Sequence, residues 1–127
     1  MSGSEEVEEE NSIKLHKEGA ALADEGKLEE ASEKYVQASE MYEKVENFFD
    51  ASYAMFEEEG CNYQLKDYDK AKERFLRSAD LAFKKGYDCF EVSALEYVVD
   101  CHRALGEEDQ ADELDQKIKD KKSTFKM

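Results

Sequence analysis

The chain has no proline and no tryptophan, and among its 127 residues there are only three cysteines and two histidines. Without proline, nothing covalent interrupts a helix. The β-branched residues, six Val, two Ile and one Thr, are too few to build a sheet. Ala, Leu, Glu and Lys are left to set the backbone preference, and they favour helix. Charge-free runs reach only a few residues, such as Gly19 to Ala23, far short of the roughly 20 apolar residues that cross a bilayer, so no membrane insertion is expected. The stretch Met1 to Asn11 is acidic and is followed by no apolar segment, unlike a secretory signal peptide. A cytoplasmic location is the expectation. Cys61, Cys89 and Cys101 are odd in number and lack CxxC spacing, which argues against a disulfide framework and a zinc knuckle and for free thiols.

What the chain has in abundance is charge, above all negative charge. Its 33 acidic residues outweigh 18 basic ones, for a formal net charge of −15. The excess is unevenly placed. Residues 1–10 hold five Glu, residues 116–127 hold five Lys against Asp120, and the body between them is still strongly acidic. Such a field repels phosphate backbones and anionic lipid, so nucleic acid is an unfavourable partner and a basic or amphipathic peptide or protein a favourable one. An equally simple reading is that Glu and Lys solvate the outer faces of long helices.

Three segments repeat. Gly26-Lys27-Leu28-Glu29-Glu30-Ala31, Lys66-Asp67-Tyr68-Asp69-Lys70-Ala71 and Gly106-Glu107-Glu108-Asp109-Gln110-Ala111 align, with their alanines 40 residues apart. Each is a short polar turn followed by a small residue, as a helical hairpin needs where two helices approach closely. The periodicity predicts helices over 12–25, 28–44, 47–65, 68–85, 88–105 and 108–122. Ser12 is the expected cap of the first, Gly86 the expected terminator of the fourth, and Asp88 the expected cap of the fifth. Residues 1–11 are expected to form a flexible acidic arm, 12–122 one helical repeat domain, and 123–127 a flexible tail.

The pattern Gly19, Leu22, Gly26, Leu28, Ala31, Tyr35 and Ala38, echoed by Tyr68, Ala71 and Phe75, resembles a tetratricopeptide repeat. The 40-residue period exceeds the usual 34 of that family, and no proline closes a repeat. In this long-repeat form the chain is similar to the soluble NSF attachment proteins and kinesin light chains. The resemblance implies an all-α, right-handed superhelix of three antiparallel helix hairpins, six helices in all, whose first helices line a concave groove. Carried onto this sequence, the groove-facing positions are His16, Ala20 and Asp24, then Glu57, Cys61 and Gln64, then Ser93, Glu96, Asp100 and Arg103. The family's carboxylate clamp of Lys, Asn and Arg would fall near His16, Ala20, Glu58, Ser93 and Tyr97, and none of these matches.

The residues for chemistry are sparse. The sequence has no glycine-rich phosphate loop, no GxSxG and no HExxH, so catalysis, a cofactor and a bound metal are not expected. Cys101 and His102 are adjacent, but neighbouring helix positions point about 100° apart and do not face each other. Glu57, Glu58 and Glu59 lack the pattern of a calcium loop and are expected to form a solvated helix face. Phe48, Phe49, Tyr53, Phe56, Tyr63 and Tyr68 are expected mainly to pack between helices, any excess forming an exposed interaction strip. Lys117, Lys119, Lys121, Lys122 and Lys126 complement the dipole of the last helix. The function expected is an adaptor or scaffold that binds a basic or amphipathic peptide or helix in an acidic groove. The alternatives are a homo-oligomeric structural module and an attachment-protein-like membrane-fusion adaptor.

Overall fold

The computed structural model describes residues 2–124, and these form six α-helices with no strand among them. They are α1 (Ser2–Asp24), α2 (Leu28–Lys44), α3 (Phe48–Gln64), α4 (Tyr68–Lys85), α5 (Asp88–Ala104) and α6 (Glu108–Ser123). The chain divides into two compact units, Met1–Lys66 and Asp67–Met127, where the sequence pattern suggests one domain over 12–122. In the first unit α2 packs on both α1 and α3, and in the second α5 packs on both α4 and α6. Within each unit, consecutive helices therefore meet in hairpin-like fashion. Among the described residues no helix is long and apolar enough to cross a membrane.

The connections share one geometry. Each contains a single residue with positive φ: Gly26 (80°), Glu46 (62°), Lys66 (63°), Gly86 (75°) and Gly106 (77°). Their numbers advance by 20 each time, so the period set by the turns is a single helix, half the repeat that the alanines mark. At four of the five turns the next residue donates back across the helix end: Lys27 N–H to Leu22 O at 2.9 Å, Asn47 N–H to Tyr42 O at 2.8 Å, Tyr87 N–H to Ala82 O at 2.8 Å and Glu107 N–H to His102 O at 2.8 Å. This closure satisfies carbonyls that a helix end would otherwise leave unpaired. Five residues beyond each turn lies a buried position, filled by Ala31, Ala51, Ala71 and Ala111, all fully inaccessible, and by Glu91 in the fifth case.

Small and hydroxyl residues let the helices approach. Buried Ser39, Ser52 and Ser78 donate to carbonyls of their own helices (Val36, Phe48 and Phe75), so their hydroxyls enter the interfaces already satisfied. Ser12 does the same, donating to Glu8 O at 2.8 Å. It is buried within α1 and does not cap it. The helix instead starts at Ser2, so residues 2–11, the expected flexible arm, are helical; glutamates favour the first turns of a helix, and Glu8 is held by Lys44 of α2 at 3.0 Å. Asp88 opens α5 as its first helical residue, with Tyr87 at the cap position and no side-chain cap bond. Gly86 ends α4 in the left-handed conformation, and Asn47 caps α3 by accepting from Asp50 N–H. The tail expected over 123–127 begins with Ser123 as the last residue of α6; residues 125–127, Lys126 among them, lie outside the described residues.

The first core gathers Ala31, Tyr35 and Cys61, flanked by Leu22, Ala23 and Leu28. The second contains Val92, Val99, Ala111 and Ile118, flanked by Leu95 and Leu114, with fully buried Phe75 stacked on Tyr97 at 4.9 Å. The mid-chain aromatic cluster is less buried than its composition suggests. Phe49 and Tyr53 are exposed and Phe48, Phe56, Tyr63 and Tyr68 half-buried, whereas Tyr35 and Tyr42 of α2 are the buried tyrosines of the first unit.

Candidate functional site

In the first unit α1 and α3 stand on either side of α2 and leave an open cleft of about 430 Å³. Ala20, Ala23 and Asp24 form one wall, and Leu28 and Tyr35 of α2 form the floor. The other wall is Phe56, Glu57, Gly60, Cys61 and Gln64, which recur at spacings of three and four along one face of α3. Of the six groove positions expected in this part of the chain, Ala20, Asp24, Glu57, Cys61 and Gln64 all line the cleft. The sixth, His16, lies one helical turn before Ala20 and binds Glu57 directly.

Glu57 organises this site. His16 Nε2 meets Glu57 Oε1 in a short contact. The other imidazole nitrogen, Nδ1, lies 3.1 Å from Tyr42 Oη. Three tyrosine rings, Tyr35, Tyr42 and Tyr53, pack edge-on around the imidazole with centroids 5.7–5.8 Å away. Tyr35 reaches this position because α1 has Gly19 beneath it: a Cβ there would sit 2.9 Å from Tyr35 Cδ1. Burial, then the Glu57 charge, pushes the Tyr35 hydroxyl well above its ordinary value. Burial, Asp50 and Glu57 raise Tyr42 likewise. The Cys61 thiol is pushed up by burial and by Glu57 and Glu58. These groups keep their protons near neutrality.

The neighbouring acids behave differently from a solvated face. Glu58 and Glu59 are fully buried, which corrects the expectation for this triplet. Successive helix positions point in different directions, and only Glu57 turns to the cleft. Glu58 accepts from Asn62 Nδ2 at 3.2 Å, and Asn62 Oδ1 accepts from Ser32 of α2 at 3.4 Å, a polar link between α2 and α3.

The remaining expected positions lie in the second unit. Ser93 is half-buried and Asp100 exposed. Glu96 is held by Lys122 Nζ at 3.0 Å, and Arg103 is forked between Glu108 at 2.7 Å and Asp112 at 3.2 Å, so both turn their charge toward α6. Cys101 is fully buried while His102 bonds Glu107 through Nδ1 at 2.8 Å, and the two do not act as a pair. Lys72 Nζ reaches the same Glu107 oxygen at 3.1 Å. Among the described residues no group of three or more His, Cys, Asp or Glu side chains is placed to hold a metal ion.

Sequence reasoning missed the floor of the cleft, Leu28 and Tyr35, and the wall residues Ala23, Phe56 and Gly60. The spacing of Phe56, Gly60 and Gln64 on one helix face was the signal for the wall. Comparison of the chain with protein-family models, with curated proteins and with solved structures found no match.

Proposed function

We propose that the chain is a tetratricopeptide-like helical-repeat module that binds a basic or amphipathic peptide segment of a partner protein, without catalysis, in the cytoplasm. The observation that carries this reading is the α1–α3 cleft: it is lined by Asp24 and Glu57, with Tyr35 and Phe56 beside them and no lysine or arginine in its walls. Apolar surface of that kind supplies affinity, and acidic groups select the partner and speed the encounter. The net charge of −15 extends the same preference over the whole chain.

Selection of a displayed peptide library on the full chain tests it. Basic or amphipathic sequences should be enriched, and the enriched peptides should bind less well in high salt and to the Asp24→Asn, Glu57→Gln double variant. Absence of any enrichment, or equal binding to the double variant, overturns the reading.

A further inference from the structure

Resting on the interaction-module reading, we infer that the α1–α3 cleft is the anchor for a single arginine side chain held within a partner polypeptide. Its size falls in the range of pockets that enclose a small ligand or one large side chain. Ala20, Ala23 and Leu28 offer methyl surface for the aliphatic stem of such a residue, and Phe56 and Tyr35 offer ring surface. Acceptors stand at two places, the Glu57 carboxylate and the Asp24 carboxylate, and the Gln64 amide lines the same cleft.

Glu57 is prepared for this role. His16 Nε2 contacts it, and an ionised carboxylate has about four acceptor positions, so this contact orients the group and leaves capacity for a ligand. Arginine fits better than lysine. A guanidinium is planar, less strongly hydrated, bonds carboxylates through two N–H groups and stacks on aromatic faces, whereas an ammonium does none of these as well. The charge pattern also identifies the source of the guanidinium. Free arginine carries an α-carboxylate, and the walls hold no cation to receive it while Asp24 and Glu57 repel it; an arginine inside a peptide has neutral amides at that place.

Gly60 supplies a test that leaves every charge in place. A Cβ built there meets nothing within 4 Å, so a larger side chain would enter the cleft from the α3 wall without disturbing the core. The experiment is an NMR titration of the isotope-labelled full chain with an acetylated, amidated Ala-Ala-Arg-Ala-Ala peptide, its lysine and citrulline counterparts, and free L-arginine. The arginine peptide should shift the amides of Ala20, Ala23, Gly60 and Gln64 saturably. The lysine peptide and free arginine should bind more weakly, and the citrulline peptide, equal in shape but uncharged, should bind roughly tenfold more weakly or not at all. Gly60→Leu should abolish saturation although its fold, followed by circular dichroism, is kept, and Asp24→Asn, at an exposed site outside the core, should weaken binding.

Equal binding of the citrulline peptide, free arginine binding as well as the peptide, unchanged binding to Gly60→Leu, or shifts confined to residues outside the cleft would each overturn the inference. The two readings fail separately. If library-selected peptides lose nothing when arginine is replaced by citrulline, the anchor is refuted and the module reading stands. If no library peptide is enriched, the module reading falls whatever the short peptide does.

Discussion

Gly19 and Gly60 invite the same substitution with opposite results. Both lie inside helices, α1 and α3, of the Met1–Lys66 unit. Replacing an interior helical glycine by alanine gains about 1 kcal/mol, because glycine loses more backbone freedom on folding. At Gly60 nothing opposes the gain, since the new methyl meets open space. Gly60→Ala should therefore stabilise by about 1 kcal/mol, a rise in Tm of roughly 4–8 °C for a cooperative unit of about this size. At Gly19 the methyl would lie 2.9, 3.0 and 3.3 Å from Tyr35 Cδ1, Cε1 and Cγ. Contact with Cγ means that turning the ring gives no relief, and Tyr35 is buried and packed edge-on against His16. Overpacking of this kind costs about 1–3 kcal/mol, which outweighs the helix gain and leaves Gly19→Ala destabilised by about 1 kcal/mol. Urea denaturation followed by circular dichroism measures both, with the denaturant slope unchanged as the control. In a Tyr35→Leu background the Gly19 penalty should shrink, since the pair is coupled only through the ring. Equal effects of the two single substitutions would refute the close approach of α1 to Tyr35.

The turns give a second contrast. Glu46 and Lys66 occupy the left-handed region without being glycine, so Lys66→Gly should stabilise by about 0.5–1 kcal/mol while Gly106→Ala destabilises by a similar amount; a loss of stability in Lys66→Gly would show that this turn is not left-handed. The Glu107 carboxyl is held below its ordinary value of 4.5, first by the His102 hydrogen bond and then by Lys72. Its folded value being the lower, this contribution to stability is complete above the unfolded value and is lost as pH falls through the folded one. Glu107→Gln should accordingly flatten the fall of Tm with pH below about 4.5, and an unaltered profile would count against the Lys72–Glu107–His102 cluster. Among the cysteines Cys89 is exposed and Cys61 and Cys101 are buried, and burial with Glu57 and Glu58 raises the Cys61 thiol. Iodoacetamide at about pH 8 should add once, quickly, at Cys89, as read by mass spectrometry; labelling of Cys61 at the same rate would contradict the packing of the α3 wall of the cleft.

Helix positions were the most legible part of the sequence, because amphipathic spacing and the glycines at 26, 86 and 106 mark them together. The start of α1 was not legible in the same way. A serine before an apolar run reads as a cap, but Ser12 turns back to Glu8 O, and a glutamate-rich segment continues a helix as readily as it forms an arm. The 20-residue period was hidden because two of its five left-handed positions carry Glu46 and Lys66, and one of its five buried small positions carries Glu91. The walls of the cleft follow from helix faces, which sequence spacing defines. Its floor does not, since Tyr35 reaches the cleft only through the missing side chain of Gly19, a tertiary fact. Glu58 and Glu59 were misjudged because charge by itself does not fix exposure: Glu58 is buried where Asn62 and Ser32 join α3 to α2.

Glu91 explains why the acidic character of the chain is not equally available everywhere. It stands at a buried position that holds alanine in the other four cases, and Lys121 of α6 reaches it at 3.1 Å. Ala111 and Ile118 are the buried residues of α6, so much of its attachment is ionic: Lys121 to Glu91, Lys122 to Glu96, and Arg103 to Glu108 and Asp112. The lysines near the end of the sequence therefore do more than complement a helix dipole. Lys121 and Lys122 pair with Glu91 and Glu96 of α5, and Lys117 and Lys119 pair with Glu113 and Asp115 within α6. Glu91 and Glu96 of the second unit are in this way compensated from inside the chain. In the first unit the cleft acids Asp24 and Glu57 have no lysine or arginine beside them in the walls, and Glu57 is contacted by His16. An acidic surface selects a basic partner only where its own chain has left the charge uncompensated, and that condition favours the α1–α3 cleft over the equivalent positions on α5.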